Sequence, residues 1–202
     1  MTRRLHHLLP ALIAPILVFA APVAAQQQSE SYKFLQAVRD GKGNDVIQMV
    51  DRPGSNIINT RDRSTGETAL HIVTKRGDLP YINYLLQKGA DANARDQQGN
   101  TPLLIAVGGG RDDVMTVLLA FKANPNLGNS AGETPLIRAV QRRDLTLVRE
   151  LVSAGADPDQ ADVIAGKSAR DYAVEDGRSP AIVKLFAETP KRARRAVAGP
   201  KL

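Results

Sequence analysis

The segment Thr68-Ala69-Leu70-His71-Ile72-Val73 recurs in similar form 33 residues later as Thr101-Pro102-Leu103-Leu104-Ile105-Ala106, and after another 33 as Thr134-Pro135-Leu136-Ile137-Arg138-Ala139. A more divergent copy, Ser168-Ala169-Arg170-Asp171-Tyr172-Ala173, follows after 34 residues. Apolar pairs recur farther along each unit: Leu85-Leu86, Leu118-Leu119, Leu151-Val152 and Leu185-Phe186. Alignment on Ala37, Gly41 and Met49-Val50 adds a first copy from Tyr32, so five repeats cover about residues 32–189.

Each unit is predicted to form two helices. Thr or Ser at the start of the first helix can accept hydrogen bonds from its free N–H groups, and Pro suits the first helical position. Leu70 and Val73, with their equivalents Leu103, Ala106, Leu136 and Ala139, fall on one helical face. The second helices carry apolar stripes that only a neighbouring unit can cover: Ile82, Leu85, Leu86, Met115, Leu118 and Leu119. The units are therefore predicted to stack into one body.

The turns between the helices carry glycine in four units, at Gly41, Gly77, Gly110 and Gly177. Glycine ends a helix at little cost because it accepts a left-handed conformation. Arg143 stands at this position in the fourth unit, and Lys122 replaces the glycine that ends the second helix of the third. We expect both residues to be left-handed, at about 1 kcal/mol each.

The 33-residue period and the recurring Thr-Pro-Leu motif resemble those of the ankyrin repeat. Further motifs agree: Gly89-Ala90-Asp91-Ala92-Asn93 with Gly155-Ala156-Asp157-Pro158-Asp159, and Asp96-Gln97-Gln98-Gly99-Asn100-Thr101 with Asn129-Ser130-Ala131-Gly132-Glu133-Thr134. The resemblance implies an all-α ankyrin-repeat solenoid of about five helix-turn-helix units joined by β-turn loops. The domain would cover 32–190, with repeats at about 32–67, 68–100, 101–133, 134–167 and 168–190. It also implies that His71 links neighbouring loops.

Residues 1–25 have the layout of a secretory signal peptide. Arg3 and Arg4 precede an apolar run, and Val23 and Ala25 precede the expected cleavage point. The chain is then predicted to be periplasmic or secreted, with residues 26–31 as a short linker before the repeats. The alternative is an uncleaved membrane anchor at residues 8–25, although prolines within the run disfavour a spanning helix.

The net charge of +6 is carried by the two ends of the chain. Residues 26–190 hold 20 basic and 21 acidic side chains, whereas 191–202 hold five basic residues and no acid. We therefore expect no nucleic-acid binding by the array. The segment 191–202 is predicted to be a disordered basic tail that touches anionic lipid or an acidic partner.

The chemistry-bearing residues do not form a recognisable active site. Cysteine is absent, which excludes disulfides and thiolate metal sites. Gly166-Lys167-Ser168 ends like a phosphate loop, but Ala161 stands where that motif needs glycine. Gly108-Gly109-Gly110 is interpreted as an inter-helix turn rather than an anion-binding loop. Asp112, Asp113, Asp157 and Asp159 lie at helix starts and turns. We predict no enzyme activity, cofactor or metal.

Binding is expected on the concave face, which the loop tips and first helices would form. By the resemblance, the partner-binding positions are Arg63, Glu67, Lys75, Arg76, Gln97, Gln98, Asn100, Ser130, Glu133, Gln141, Arg142, Val163, Ile164 and Lys167, with Gly108, Gly109, Ala131, Glu175 and Asp176 beside them. Val163 and Ile164 are the expected apolar anchor. The alternative is that Ile164 packs against its own unit, because this loop carries one extra residue.

The hypothesis from sequence is a non-catalytic, monomeric module that is exported and binds another protein. The alternative is a membrane-associated scaffold, held by an uncleaved anchor or by the basic tail. Neither the fold nor the sequence names the partner.

Overall fold

The structure is a computed structural model that describes residues 23–190, with side chains from residue 30 onward. This part of the chain contains α-helices, one short 3-10 helix at Ile57–Asn59 and no β-strand. The helices are α1 Val23–Arg39, α2 Gly43–Val50, α3 Ala69–Arg76, α4 Leu79–Gln87, α5 Pro102–Gly108, α6 Asp112–Ala120, α7 Pro135–Gln141, α8 Leu145–Ser153, α9 Ala169–Asp176 and α10 Pro180–Glu188. The expectation of an all-α repeat array is confirmed.

The helices form five consecutive pairs, and each pair packs on the next. The first helices, α1, α3, α5, α7 and α9, contact one another more extensively than the second helices do. This closer packing on one side indicates an array that curves toward its first helices. The loops that precede the first helices, called the tips below, are joined to one another by backbone hydrogen bonds.

Hydroxyl side chains fix the starts of the first helices, as the sequence predicts. Thr101 Oγ1 accepts from the Leu104 N–H at 3.2 Å, and Thr134 Oγ1 accepts from Ile137 at the same distance. Ser168 Oγ accepts from the Asp171 N–H, also at 3.2 Å. These bonds satisfy donors that have no partner within the helix. The start of each unit is thereby set by its own sequence.

Left-handed residues end the helices where the sequence predicts them. The four hinge glycines have positive φ angles, among them +74° at Gly77 and +63° at Gly110. Lys122 has φ +63° and Arg143 has φ +58°. Among the described residues these are the two non-glycine positions with positive φ. The fold therefore imposes the hinge geometry even where the sequence does not favour it.

The core runs through the repeats as one continuous cluster of leucine, isoleucine, valine and alanine. The inward-facing Leu103 and Ala106 are fully buried. The fifth unit departs from this pattern, because Arg170 stands where the earlier units have leucine. Its Nε donates to Asp159 at 2.8 Å, and its guanidinium lies 5.8 Å from the centre of the Phe186 ring. Polar substitution of this kind is typical of the last unit in a stack.

The first unit differs from the expectation in one respect. Residues 26–31, assigned above to a short linker, lie within α1. The sequence from Val23 to Arg39 contains neither glycine nor proline, so nothing local ends the helix before the first repeat.

Residues 1–22 and 191–202 lie outside the part of the chain that the structure describes. These two ranges contain most of the expected signal peptide and the whole of the predicted basic tail. Within residues 23–190, no helix is both long and apolar enough to cross a membrane.

Candidate protein-binding face

Each loop tip is organised by the side-chain oxygen of one residue at its start. Asp62, Asp96, Asn129 and Asp162 occupy this position in successive units. Asp96 Oδ1 accepts from the backbone N–H of Gln98 at 2.9 Å and from that of Asn100 at 2.8 Å. Such Asx turns replace secondary structure in the tip. The tips therefore have fixed backbones.

Backbone hydrogen bonds join each tip to the next one. The Gln97 N–H donates to the Thr65 carbonyl at 2.9 Å, and the Ser130 N–H donates to Gln98 at 2.9 Å. The Val163 N–H continues the series to Ala131 at 3.0 Å. The predicted tip residues of four units are thus brought into one continuous row.

Glycine allows the tips to approach this closely. Gly99 has φ +77°, and a Cβ atom there would lie 2.7 Å from the Ser130 backbone nitrogen. The equivalent Gly166 in the last tip has φ +64° but has no atom within 4 Å of the same position. The difference arises because no further tip follows the last one within the described residues.

The last tip exposes the two apolar residues that the sequence singles out. Val163 is 73% exposed and Ile164 is 80% exposed. The alternative that Ile164 packs against its own unit is therefore wrong. Asp162 Oδ1 accepts from the backbone of Ile164, Ala165 and Gly166 at 2.7 to 3.1 Å, so the longer loop is turned outward.

Tyr172 holds the same carboxylate from the α9 side. Its hydroxyl donates to Asp162 Oδ2 at 2.6 Å. This bond lowers the pKa of Asp162, with help from the three backbone amides, and raises the pKa of Tyr172 to about 12. The tip is consequently fixed both to its own first helix and, through Val163, to the preceding repeat.

His71 links the second unit to the third, as the resemblance implies. Its Nδ1 accepts from the Thr68 N–H at 3.1 Å, and its Nε2 donates to the Asn100 carbonyl at 3.0 Å. These partners require a neutral ring with the proton on Nε2. Burial lowers the pKa of His71, which favours this neutral form. The residue has a structural role.

Charged residues across the face are largely paired. In the second unit Lys75 contacts Glu67, and in the fifth Lys167 Nζ lies 2.6 Å from Glu175 Oε2. In both pairs the residue just before the N-cap contacts the residue eight positions later. The acidic residue comes first in the pair of Glu67 and Lys75, and the basic residue comes first in the pair of Lys167 and Glu175. In the fourth unit Glu133 is held by Arg138, with Nε to Oε1 at 2.9 Å.

The predicted binding residues differ in how accessible they are. Glu67 is buried, and Asn100, Glu133 and Lys167 are half-buried. The exposed members of the set are Arg63, Lys75, Arg76, Gln97, Gln98, Ser130, Gln141, Arg142, Val163 and Ile164. In the described part of the chain, no group of three or more His, Asp or Glu side chains has the arrangement of a metal site.

Arginines from neighbouring units form a row along the hinge edge of the face. Arg76 Nη1 donates to the Val38 carbonyl at 2.8 Å, Arg111 Nη2 to Lys75 at 2.8 Å, and Arg142 Nη1 to Gly108 at 2.9 Å. Each guanidinium therefore binds a carbonyl near the end of the preceding first helix. Arg111 was not among the predicted positions, because it follows the hinge residue Gly110, whereas Arg76 and Arg142 precede the hinge residues Gly77 and Arg143.

Asparagines for which the sequence predicts no role connect neighbouring units. Asn126 Nδ2 donates to the Gly155 carbonyl at 3.0 Å, and its Oδ1 accepts from the Asp157 N–H at 2.7 Å. Asn93 makes the same two contacts one unit earlier, and Asn59 makes them two units earlier. The signal available in the sequence is their spacing of 34 and 33 residues.

The fold thus defines a helix-turn-helix repeat solenoid with one continuous row of tips. Two models of known protein families match this chain and agree with the fold. The model for "Ankyrin repeats (3 copies)" matches residues 34–129, and that for "Ankyrin repeat" matches residues 131–163. The chain belongs to the ankyrin repeat family.

Several curated proteins are similar to this chain over its repeats. The Danio rerio neurogenic locus notch homolog protein 1 is 37% identical over 143 residues, which is 70% of this chain and 6% of that protein. The Xenopus laevis protein of the same name is 35% identical over 135 residues, and the human one 34% over 134, each covering 66% of this chain and 5% of the relative. The chain spans only about a twentieth of the length of these relatives.

Proposed function

We propose that this chain is a non-catalytic, monomeric protein-binding module whose concave face docks another protein, with Val163 and Ile164 as the apolar anchor. Ankyrin repeats typically mediate binding to other proteins. The observation that carries the proposal is the exposure of two adjacent apolar side chains, 73% and 80%, on a tip with a fixed backbone. Exposed apolar residues on a rigid support are favourable binding anchors because little conformational entropy is lost on docking.

The partner would contact the row of tips as well as the anchor. The exposed polar side chains Gln97, Gln98 and Ser130 lie on this row and offer hydrogen-bonding groups. A stable complex would bury a total of roughly 1,200 to 2,000 Å² on the two proteins. Val163 and Ile164 alone provide a small part of that area, so several units must take part.

Capture from an extract of the native cells tests the anchor. The double variant Val163→Asp/Ile164→Asp should lose the partner that the wild-type chain retains after crosslinking. Ile47→Asp is the matched control, because Ile47 is 43% exposed but lies on α2, a second helix. Circular dichroism and unfolding midpoints would establish that both variants are folded. Retention of the partner by the double variant at wild-type strength would reject this surface.

We also propose that the chain is exported and works in the periplasm or outside the cell. The support is the basic start, the apolar run and the small residues before position 26. Mass spectrometry of the chain from its native host should show an N-terminus near Gln26. An intact N-terminus in the membrane fraction would instead support an anchor at residues 8–25.

The basic tail is proposed to add a weak contact with anionic surfaces. Residues 191–202 carry five basic side chains and no acidic ones. Such a segment is attracted to anionic lipid, and the attraction is screened by salt. Sedimentation with phosphatidylglycerol vesicles should fall when 191–202 are deleted and when the salt concentration is raised. Equal sedimentation of the full and shortened chains would reject the contact.

A further inference from the structure

The arginine row along the hinge edge is not electrically uniform. Arg76 Nη2 lies 2.9 Å from Asp78 Oδ2, so its charge is compensated. Arg143, the hinge residue of the fourth unit, also has a compensated charge, because its guanidinium donates to the two carboxylate oxygens of Asp176 at 2.8 and 2.9 Å. Arg111 and Arg142 have no carboxylate within ion-pair distance among residues 30–190. Two uncompensated cations therefore lie in the middle of the face.

The segment between these two arginines has no side chains. Gly108, Gly109 and Gly110 form the hinge of the third unit. A Cβ atom at Gly109 would lie 3.3 Å from Arg111 Nε, and one at Gly110 would collide with Arg142 Nη2. The absence of side chains lets both guanidinium groups lie against the backbone.

Both guanidinium groups are held in place before any ligand arrives. Arg111 donates to the Lys75 carbonyl and Arg142 to the Gly108 carbonyl, each through one terminal nitrogen. A guanidinium carries five N–H donors, so most of them remain available. Since the side chains are already ordered, binding costs less entropy than it would for a free arginine.

We infer that Arg111 and Arg142, on either side of Gly108–Gly110, bind carboxylate side chains of an acidic segment of the partner protein. This inference rests on the proposed function, since it assigns the chemistry of the partner at the centre of the same face. Paired N–H donors of a guanidinium match the two oxygens of a carboxylate. The partner segment would combine acidic residues at the hinge edge with apolar residues at the Val163 and Ile164 tip.

A nucleic acid fits this surface less well. Nucleic-acid binding depends on neutralising many phosphates along a backbone. Residues 26–190 hold 20 basic and 21 acidic side chains, and two of the four arginines on the hinge edge, Arg76 and Arg143, are already compensated. Two free cations suit a short acidic segment of a protein.

The probe for this site is fluorescein-labelled octaglutamate, measured by anisotropy at low ionic strength. The variants are Arg111→Gln/Arg142→Gln and the control Arg149→Gln/Lys184→Gln, which removes two exposed cations from the second helices α8 and α10, outside the proposed face. We expect the double variant to bind octaglutamate about tenfold more weakly than wild type and the control to change by less than about twofold. Raised salt should weaken wild-type binding.

Three results of the binding assays would overturn the inference. They are no binding of octaglutamate by the wild-type chain, equal losses in the double variant and the control, and tighter binding to oligothymidylate or phosphatidylglycerol vesicles than to octaglutamate. The assay is independent of partner capture. If Val163→Asp/Ile164→Asp loses the cellular partner while Arg111→Gln/Arg142→Gln retains it, the proposed function stands and this inference fails.

Discussion

The Val163 N–H donates a 3.0 Å hydrogen bond to the Ala131 carbonyl, which fixes the exposed apolar tip of the fifth unit to the tip before it. The same relationship joins Ser130 to Gln98 and Gln97 to Thr65. A partner that contacts Val163 therefore binds a surface that is held by several units, not a loop that moves alone. The stability of the array and the geometry of its binding face are coupled through these bonds.

Close approach of the tips predicts different costs for two equivalent glycines. Gly166→Ala should lower the free energy of unfolding by about 1 kcal/mol, because alanine is strained at positive φ. Gly99→Ala should cost at least about 2 kcal/mol, since its Cβ would also lie against the backbone of the next tip. Urea denaturation measures both. Equal losses in the two variants would show that the tips do not approach as described.

Strain at Lys122 predicts a stabilising substitution. Its φ of +63° is unfavourable for lysine, so Lys122→Gly should raise the free energy of unfolding by a few tenths to about 1 kcal/mol. Arg143→Gly should gain less or lose stability, because it also removes the contacts with Asp176 at 2.8 and 2.9 Å. The urea denaturation midpoints of the two variants, compared with that of the wild-type chain, test this prediction. An unchanged or lowered midpoint for Lys122→Gly would refute the prediction.

The asparagine contacts between units predict that the amide donor of Asn126 contributes to the stability of the array. Asn126→Asp keeps the acceptor for Asp157 but loses the donor to the Gly155 carbonyl, and should cost about 1 to 2 kcal/mol. Asn124→Asp is the control, because aspartate already occupies the equivalent positions 91 and 157. The control should change the unfolding free energy by less than about 0.5 kcal/mol. Similar losses for both variants would mean that charge, not the missing donor, is responsible.

The buried neutral His71 predicts a dependence of stability on pH. Its folded pKa lies below the ordinary value of 6.5, so the unfolded chain takes up a proton first as the pH falls. Its contribution to stability is complete above that value and is lost progressively below it, down to the folded pKa. The free energy of unfolding should therefore decrease between about pH 7.5 and pH 5.5.

The control for this pH dependence is His71→Leu, because Leu104 occupies the equivalent place in the next unit. The variant should be less stable at neutral pH, since the Asn100 carbonyl loses its donor. Its stability should vary less with pH over the same interval. A variant with the same slope as wild type would assign the pH dependence to other groups.

Local sequence was sufficient to predict most of the fold. The caps at Thr101 and Thr134 and the left-handed Lys122 and Arg143 depend on residues close in the chain, and the repeat period adds independent copies of each signal. Residues 26–31 lie before the first repeat and were therefore predicted to be a linker, although they contain neither glycine nor proline and form part of a helix.

The binding face was predicted less completely, because its contacts join residues of different units. Arg111 binds Lys75, which lies 36 residues earlier, and no local pattern indicates this pairing. Glu67 was predicted to bind a partner but is buried, since it contacts Lys75 and the hydroxyl of Thr65 within its own unit. Exposure of Val163 and Ile164 was expected from their loop, whereas the bonds that hold this tip outward come from Asp162 and Tyr172.

Site-specific photo-crosslinking in the native host tests the central claim most directly. Benzoylphenylalanine would replace Gln98 or Ile164 on the tips, and Arg149, an exposed residue of the second helix α8, on the other side of the array. The two tip positions should give an adduct of the same mass with one partner protein, and Arg149 should give none. An adduct formed from Arg149 but from neither tip position would contradict a binding face made by the tips and first helices.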